Sequence, residues 1–72
     1  MIKYLIVVEE TPTGFSAYSP DLDGCVATGG SREEVEKNMR EAIAFHLEGL
    51  CSEGYDIPKP HTYPAFVDLQ SQ

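Results

Sequence analysis

The sequence predicts one α+β domain in two layers, ordered βββαβ, with a single long helix packed on one face of the sheet. Three observations carry this reading. Three short segments rich in β-branched and aromatic residues, Lys3–Glu9, Phe15–Ser19 and Cys25–Thr28, are separated by Pro, Asp and Gly. A Gly29-Gly30-Ser31 corner then opens a long stretch of helical periodicity. A Pro-rich connection, Ile57–Pro64, leads to a last apolar run at Ala65–Leu69.

The first strand reads KYLIVVE. Tyr4, Ile6 and Val8 fall on one face and Leu5 and Val7 on the other, so both faces ask for cover. Thr11-Pro12-Thr13-Gly14 is a turn, and its shortness makes the first two strands an antiparallel hairpin. Pro20 cannot donate to a ladder and ends the second strand. Asp21-Leu22-Asp23-Gly24 is the next turn, with Gly24 closing it, and Cys25–Thr28 returns antiparallel.

Ser31 and Glu34 form the S-x-x-E capping box, in which each side chain satisfies a free amide at the helix start. Gly29 lets the chain leave the sheet just before it. The helix is predicted from Arg32 to Ser52, with Val35, Met39, Ala42, Ile43, His46, Leu47 and Leu50 on one stripe. Gly54 suits the position after its end, and Pro58 forbids continuation. The tail, residues 70–72, is expected to fray, leaving residues 1–69 as the domain.

A chain of 72 residues holds one domain and a small core. Such a core supplies only about 3–5 kcal/mol, so a partner subunit is a common support. One helix covers one sheet face, and the bare second face predicts a homo-oligomer, a dimer or a tetramer. The net charge of −7 argues against direct nucleic-acid binding; it fits the acidity common among soluble proteins, and it fits attraction to a basic partner. No apolar run is long enough to cross a membrane, and the N-terminus lacks the regions of a signal peptide. The expectation is a cytoplasmic protein with reduced thiols at Cys25 and Cys51.

No catalytic constellation is visible. His46, His61, Cys25 and Cys51 are zinc-type ligands, but their spacing does not bring them together, and neither a metal nor a cofactor is expected. His46 sits within the apolar stripe and reads as a partly buried structural imidazole. Asp21 and Asp23 are paired carboxylates by spacing, yet Asp at a turn more simply bonds its own backbone. A metal nuclease needs acids on a central strand, and the first strand offers only Glu9, at its end.

The run Tyr18, Pro20-Asp21-Leu22, Gly24-Cys25, Gly29, Ser31, Glu33-Glu34, His46-Leu47-Glu48-Gly49-Leu50 and Ile57-Pro58-Lys59-Pro60 resembles the HicB-like antitoxin family. The resemblance implies a curtailed ribonuclease-H-like fold without nuclease activity. It also implies a role in binding and masking a small basic ribonuclease toxin. Many members of that family add a DNA-binding domain. The sequence stops after the last expected strand, so the expectation is a short member without one. Asp23 and Gly30 depart from the family's common residues, at positions where a contact surface would feel the change. Candidate toxin contacts are Tyr18, Asp21, Leu22 and Asp23 around the turn, with the helix acids Glu41 and Glu48. The alternative is a stand-alone structural or regulatory oligomer with no toxin.

Overall fold

The computed structural model describes residues 2–70. Three strands form one antiparallel sheet in the order β1-β2-β3: β1 at Val7–Thr11, β2 at Gly14–Ser19 and β3 at Leu22–Gly29. A single helix, α1 at Arg32–Ser52, follows and covers one face. The α+β class and the βββα order agree with the sequence reading.

The hairpin pairs Thr11 with Gly14 and closes back to Val7 opposite Tyr18. The first strand is therefore shifted from the expected Lys3–Glu9. Its N-terminal part, Ile2–Ile6, finds no ladder because β2 ends at Ser19 before Pro20. One side-chain bond extends the hairpin, from Ser19 Oγ to the Leu5 carbonyl at 2.9 Å.

The third strand begins earlier than Cys25. The tight turn is Pro20-Asp21, with Leu22 paired to Ser19 and Val26 paired to Tyr18. Between those pairs Asp23, Gly24 and Cys25 bulge out of the ladder, and Gly24 takes φ 75°. The expected Asp-Gly turn is thus a bulge inside β3.

The helix matches its predicted span. Glu34 donates its amide to Ser31 Oγ at 3.1 Å, and the Glu34 carboxylate accepts from the Gly30 amide, one residue before the cap. At the other end Gly54 donates to Cys51 O and Tyr55 to Leu50 O, the paired bonds of a Schellman stop. Gly54 holds φ 80°, a conformation that a side chain resists.

The core is Ala17, Leu22, Cys25, Val35 and Met39, with Tyr4, Ile6, Val8, Phe15, Ala27, Ala42, Ile43 and Leu47 packed around it. Val35 and Met39 are fully buried. The N-terminus of α1 lies close on β3. A Cβ on Gly29 would stand 2.6 Å from the Val35 nitrogen, so glycine is what permits the approach. Asn38 fastens the same junction by donating to the Thr28 carbonyl at 2.8 Å.

The fifth element is the main departure. Ala65–Leu69 has strand composition but joins no ladder among the described residues, and every residue from Tyr63 to Gln70 is exposed. Of the expected frayed tail, Ser71 and Gln72 lie outside the described residues.

Candidate partner-binding surfaces

The six residues picked as contacts do not form one patch. Leu22 is a core residue, 2% exposed, and offers a partner no surface in this fold. Asp21 is buried too. Its Oδ2 accepts from Thr62 Oγ1 at 2.9 Å. Its Oδ1 makes no well-angled hydrogen bond among the described residues, although His61 Nδ1 lies 3.0 Å from it. A protonated His61 forms an ion pair there, with the Lys59 carbonyl 3.3 Å away as a competing acceptor. Asp21 therefore ties the C-terminal segment to the β2–β3 turn, and the Tyr4 hydroxyl ties it to the N-terminal segment by donating to Pro58 O.

Tyr18, 42% exposed, stands on the sheet face that α1 does not cover. It pairs with Val7 on one side and Val26 on the other, an apolar row across all three strands. Glu41 and Glu48 are exposed on the side of α1 turned away from the Val35–Met39 stripe. Tyr18 and the two glutamates thus face opposite sides of the two-layer domain. Asp23 is exposed in the β3 bulge.

The structure adds a surface that was not picked. A groove of about 540 Å³ runs between β3 and the C-terminal half of α1, lined among others by Cys25, Val26, Phe45, His46, Gly49 and Tyr55. Phe45 is 78% exposed and Val26 65% exposed, and Tyr55 is exposed beside them. Glu53 lines the groove, while Asp23, Glu48 and Asp56 are chain neighbours of its residues Gly24, Gly49 and Tyr55. After Arg40, α1 carries no Lys or Arg. The negative end of the helix dipole is thus left without basic compensation. The signal was in the sequence: Phe45 is a large aromatic residue off the apolar stripe.

Gly49 lines this groove without a side chain. Nothing lies within 4 Å of a Cβ built there, and the position is inside a helix. Gly49→Ala is expected to raise stability by about 0.5–1 kcal/mol, through propensity alone. A urea titration checks this, and a lowered midpoint would show that the added methyl meets something the fold conceals.

Two titrating groups sit in the packed layers. Partial burial, and after it the Asp21 carboxylate, push the Tyr4 phenol above its ordinary 10.0. Burial pushes the Cys25 thiol above 9.0. Both raised values mean that the folded state holds its proton more tightly than the unfolded chain. The associated stability is complete below those ordinary values and drains away as pH climbs through the raised ones. The urea midpoint should therefore fall on the alkaline side, and Tyr4→Phe should remove the phenol's part of that fall. A midpoint flat through this range contradicts the burial of both groups.

Among the described residues no cluster of His, Cys, Asp and Glu is placed to hold a metal ion. Among the same described residues no helix is long and apolar enough to cross a membrane.

Residues 4–70 match the family model described as the HicB_like antitoxin of bacterial toxin-antitoxin systems. An uncharacterized 14.9 kDa protein of Haemophilus phage HP1 is 31% identical over 65 residues, 90% of this chain and 49% of that protein. A UPF0150 protein of Synechocystis is 37% identical over 58 residues, 79% of this chain and 73% of that protein. The chain thus spans about half the length of the phage relative. A chain of the HicA3 and HicB3 toxin-antitoxin complex superposes with a TM-score of 0.73 at 41% identity, covering 85% of this chain and 71% of that one. The crystal structure of antitoxin HicB3 gives 0.72 at 41% identity, covering 85% of this chain and 45% of that one.

Proposed function

This chain belongs to the HicB-like antitoxin family of bacterial toxin–antitoxin systems, and we propose that it acts by binding and masking a small basic ribonuclease toxin. HicB3 is found in complex with HicA3, a precedent for a protein partner. The observation that carries the reading is the groove between β3 and the end of α1. Its walls, Val26, Phe45 and Tyr55, are apolar, and its surroundings are acidic without a cation on that half of the helix. Interfaces of this make draw affinity from buried aromatic anchors and draw speed and selectivity from the charged rim. A net charge of −7 attracts a basic protein over a distance, and salt weakens that attraction.

On this reading the protein performs no turnover of its own. It blocks another protein's surface. Ribonuclease toxins work on cellular RNA, so the reading also takes the pair to be cytoplasmic. It includes a homo-oligomer, because the sheet face bearing Tyr18 and Val26 has no cover within one chain.

The test is affinity capture from native cell extract with the tagged chain, washed at low and then at high salt, with mass spectrometry of each eluate. A small basic protein should be retained at low salt and leave at high salt. Isolated, it should cleave RNA, and adding the chain back should suppress the cleavage. Recovery of the chain alone at both salts would favour the stand-alone oligomer instead. A captured protein that leaves RNA intact would keep the masking role and remove the ribonuclease.

A further inference from the structure

We infer that the basic partner is gripped by strand addition: an extended segment of it pairs with the open outer edge of β3 and lays an apolar side chain into the groove beside α1. Such a grip rests on the masking role proposed above and adds the form the partner must present.

The strand register identifies the free backbone groups. Pro12-Thr13 is a two-residue loop, so Thr11 and Gly14 form the pair that exchanges both backbone hydrogen bonds. Bonded and non-bonded pairs alternate. Ser16 and Tyr18 therefore spend their backbone groups on β1, and Ala17 spends its own on Ala27 of β3. Val26 and Thr28, on either side of Ala27, then aim their N–H and C=O away from the sheet. Asn38 on α1 agrees with this direction, because its Nδ2 donates to the Thr28 carbonyl from outside the ladder at 2.8 Å. Among the described residues β3 pairs with β2 alone, and no other backbone hydrogen bond ends on it. The Val26 N–H and C=O and the Thr28 N–H form an open template for a fourth strand.

The groove of about 540 Å³ runs along this edge, between Cys25 and Val26 on β3 and Phe45, His46 and Gly49 on α1. A partner residue opposite Val26 extends the apolar row Val7–Tyr18–Val26 by one place. Its chain neighbours point to the other face, into the groove. There an apolar side chain has room beside Gly49, where a Cβ would meet nothing within 4 Å. Asp23 is exposed in the bulge and Glu53 lines the groove, so Lys or Arg flanking the apolar residues complete the match. The groove beside the segment ahead of β1 has the wrong sign for a basic partner, with Lys3 and Arg40 against Glu36. A second copy fits poorly as well, because each chain carries −7 and would set one acidic rim against another. Strand addition draws affinity from the main chain and selectivity from alternate side chains.

The test uses the isotope-labelled chain and a synthetic probe, acetyl-Lys-Lys-Val-Phe-Val-Lys-Lys-amide, with amide hydrogen exchange followed by NMR. Saturating peptide should slow exchange at Val26 and Thr28 roughly tenfold and leave Ala27, already in the ladder, unchanged. The same peptide N-methylated at both valines keeps its charges and side chains but loses two backbone donors, and it should bind roughly tenfold more weakly. A peptide that does not bind, that binds without slowing those amides, or that binds equally well after N-methylation overturns the proposal. So does slowing of both amides by raised chain concentration without peptide, which would give the edge to a second copy. Val26→Pro separates strand addition from masking, since it removes an outward N–H and no ladder bond. In the capture experiment above it should lose the basic protein that Val26→Ala retains, at a urea midpoint matching that of Val26→Ala. Equal retention by both variants keeps masking and ends strand addition. Capture of nothing by the parent ends masking, and the peptide then decides the edge by itself.

Discussion

Met39→Ala is expected to cost about 2–5 kcal/mol and to leave much of the chain unfolded without denaturant. Met39 is fully buried and is one of five hydrophobic residues that form the core. It sits where α1 crosses the sheet, among Val35, Ile43 and the strand residues Ala17 and Cys25. Truncation removes its transfer energy and leaves a cavity that two rigid layers cannot close. A core of this size supplies only about 3–5 kcal/mol in all, so a single such loss is comparable to the whole stability. Far-UV circular dichroism through a urea titration reads the result. A variant that keeps the parental midpoint would mean that the helix is held by something other than this core. A second copy could do so, and the concentration dependence of the midpoint would then show it.

What the sequence disclosed divides by distance along the chain. The helix was legible at both ends because its signals are local. Ser31 and Glu34 lie within one turn, and Gly54 follows its last turn directly. The stripe of Val35, Met39, Ala42, Ile43, His46, Leu47 and Leu50 was legible because periodicity is a property of one element. The edges of β1 and β3 were not. Where β1 begins is set by where β2 runs out, and β2 runs out at Ser19 before a proline. The Asp23-Gly24 pair has turn chemistry, but Pro20-Asp21 had already reversed the chain, so the later pair became a bulge.

The site was harder for the same reason. Asp21 looked like a turn residue or a surface acid. Its burial comes from Thr62 and His61, which no local pattern connects to it. Leu22 follows it into the core because the turn is tighter than expected. Ala65–Leu69 has the composition of a strand, but composition does not provide a neighbour. Among the described residues this segment joins no ladder and stays exposed.

On the proposed masking role, Phe45→Glu is expected to abolish capture of the basic partner while sparing the fold. Phe45 is 78% exposed, and its replacement leaves the core untouched, so the urea midpoint should move by no more than about 0.5 kcal/mol. An aromatic anchor at the centre of an interface contributes about 2–4 kcal/mol, a loss of roughly 30- to 1,000-fold in affinity. Glutamate adds no charge repulsion toward a basic partner, so the loss comes from the missing aromatic contact and from desolvating a carboxylate in an apolar groove. Glu48→Lys with Glu53→Lys should act differently, slowing association and flattening the salt dependence. Full capture by Phe45→Glu would remove the groove from the interface. The row Val7–Tyr18–Val26 on the opposite sheet face would then be the surface to break, with Tyr18→Glu as its direct counterpart. Val26 borders both surfaces, so each substitution is placed away from it: Tyr18 on the uncovered sheet face and Phe45 on the helix.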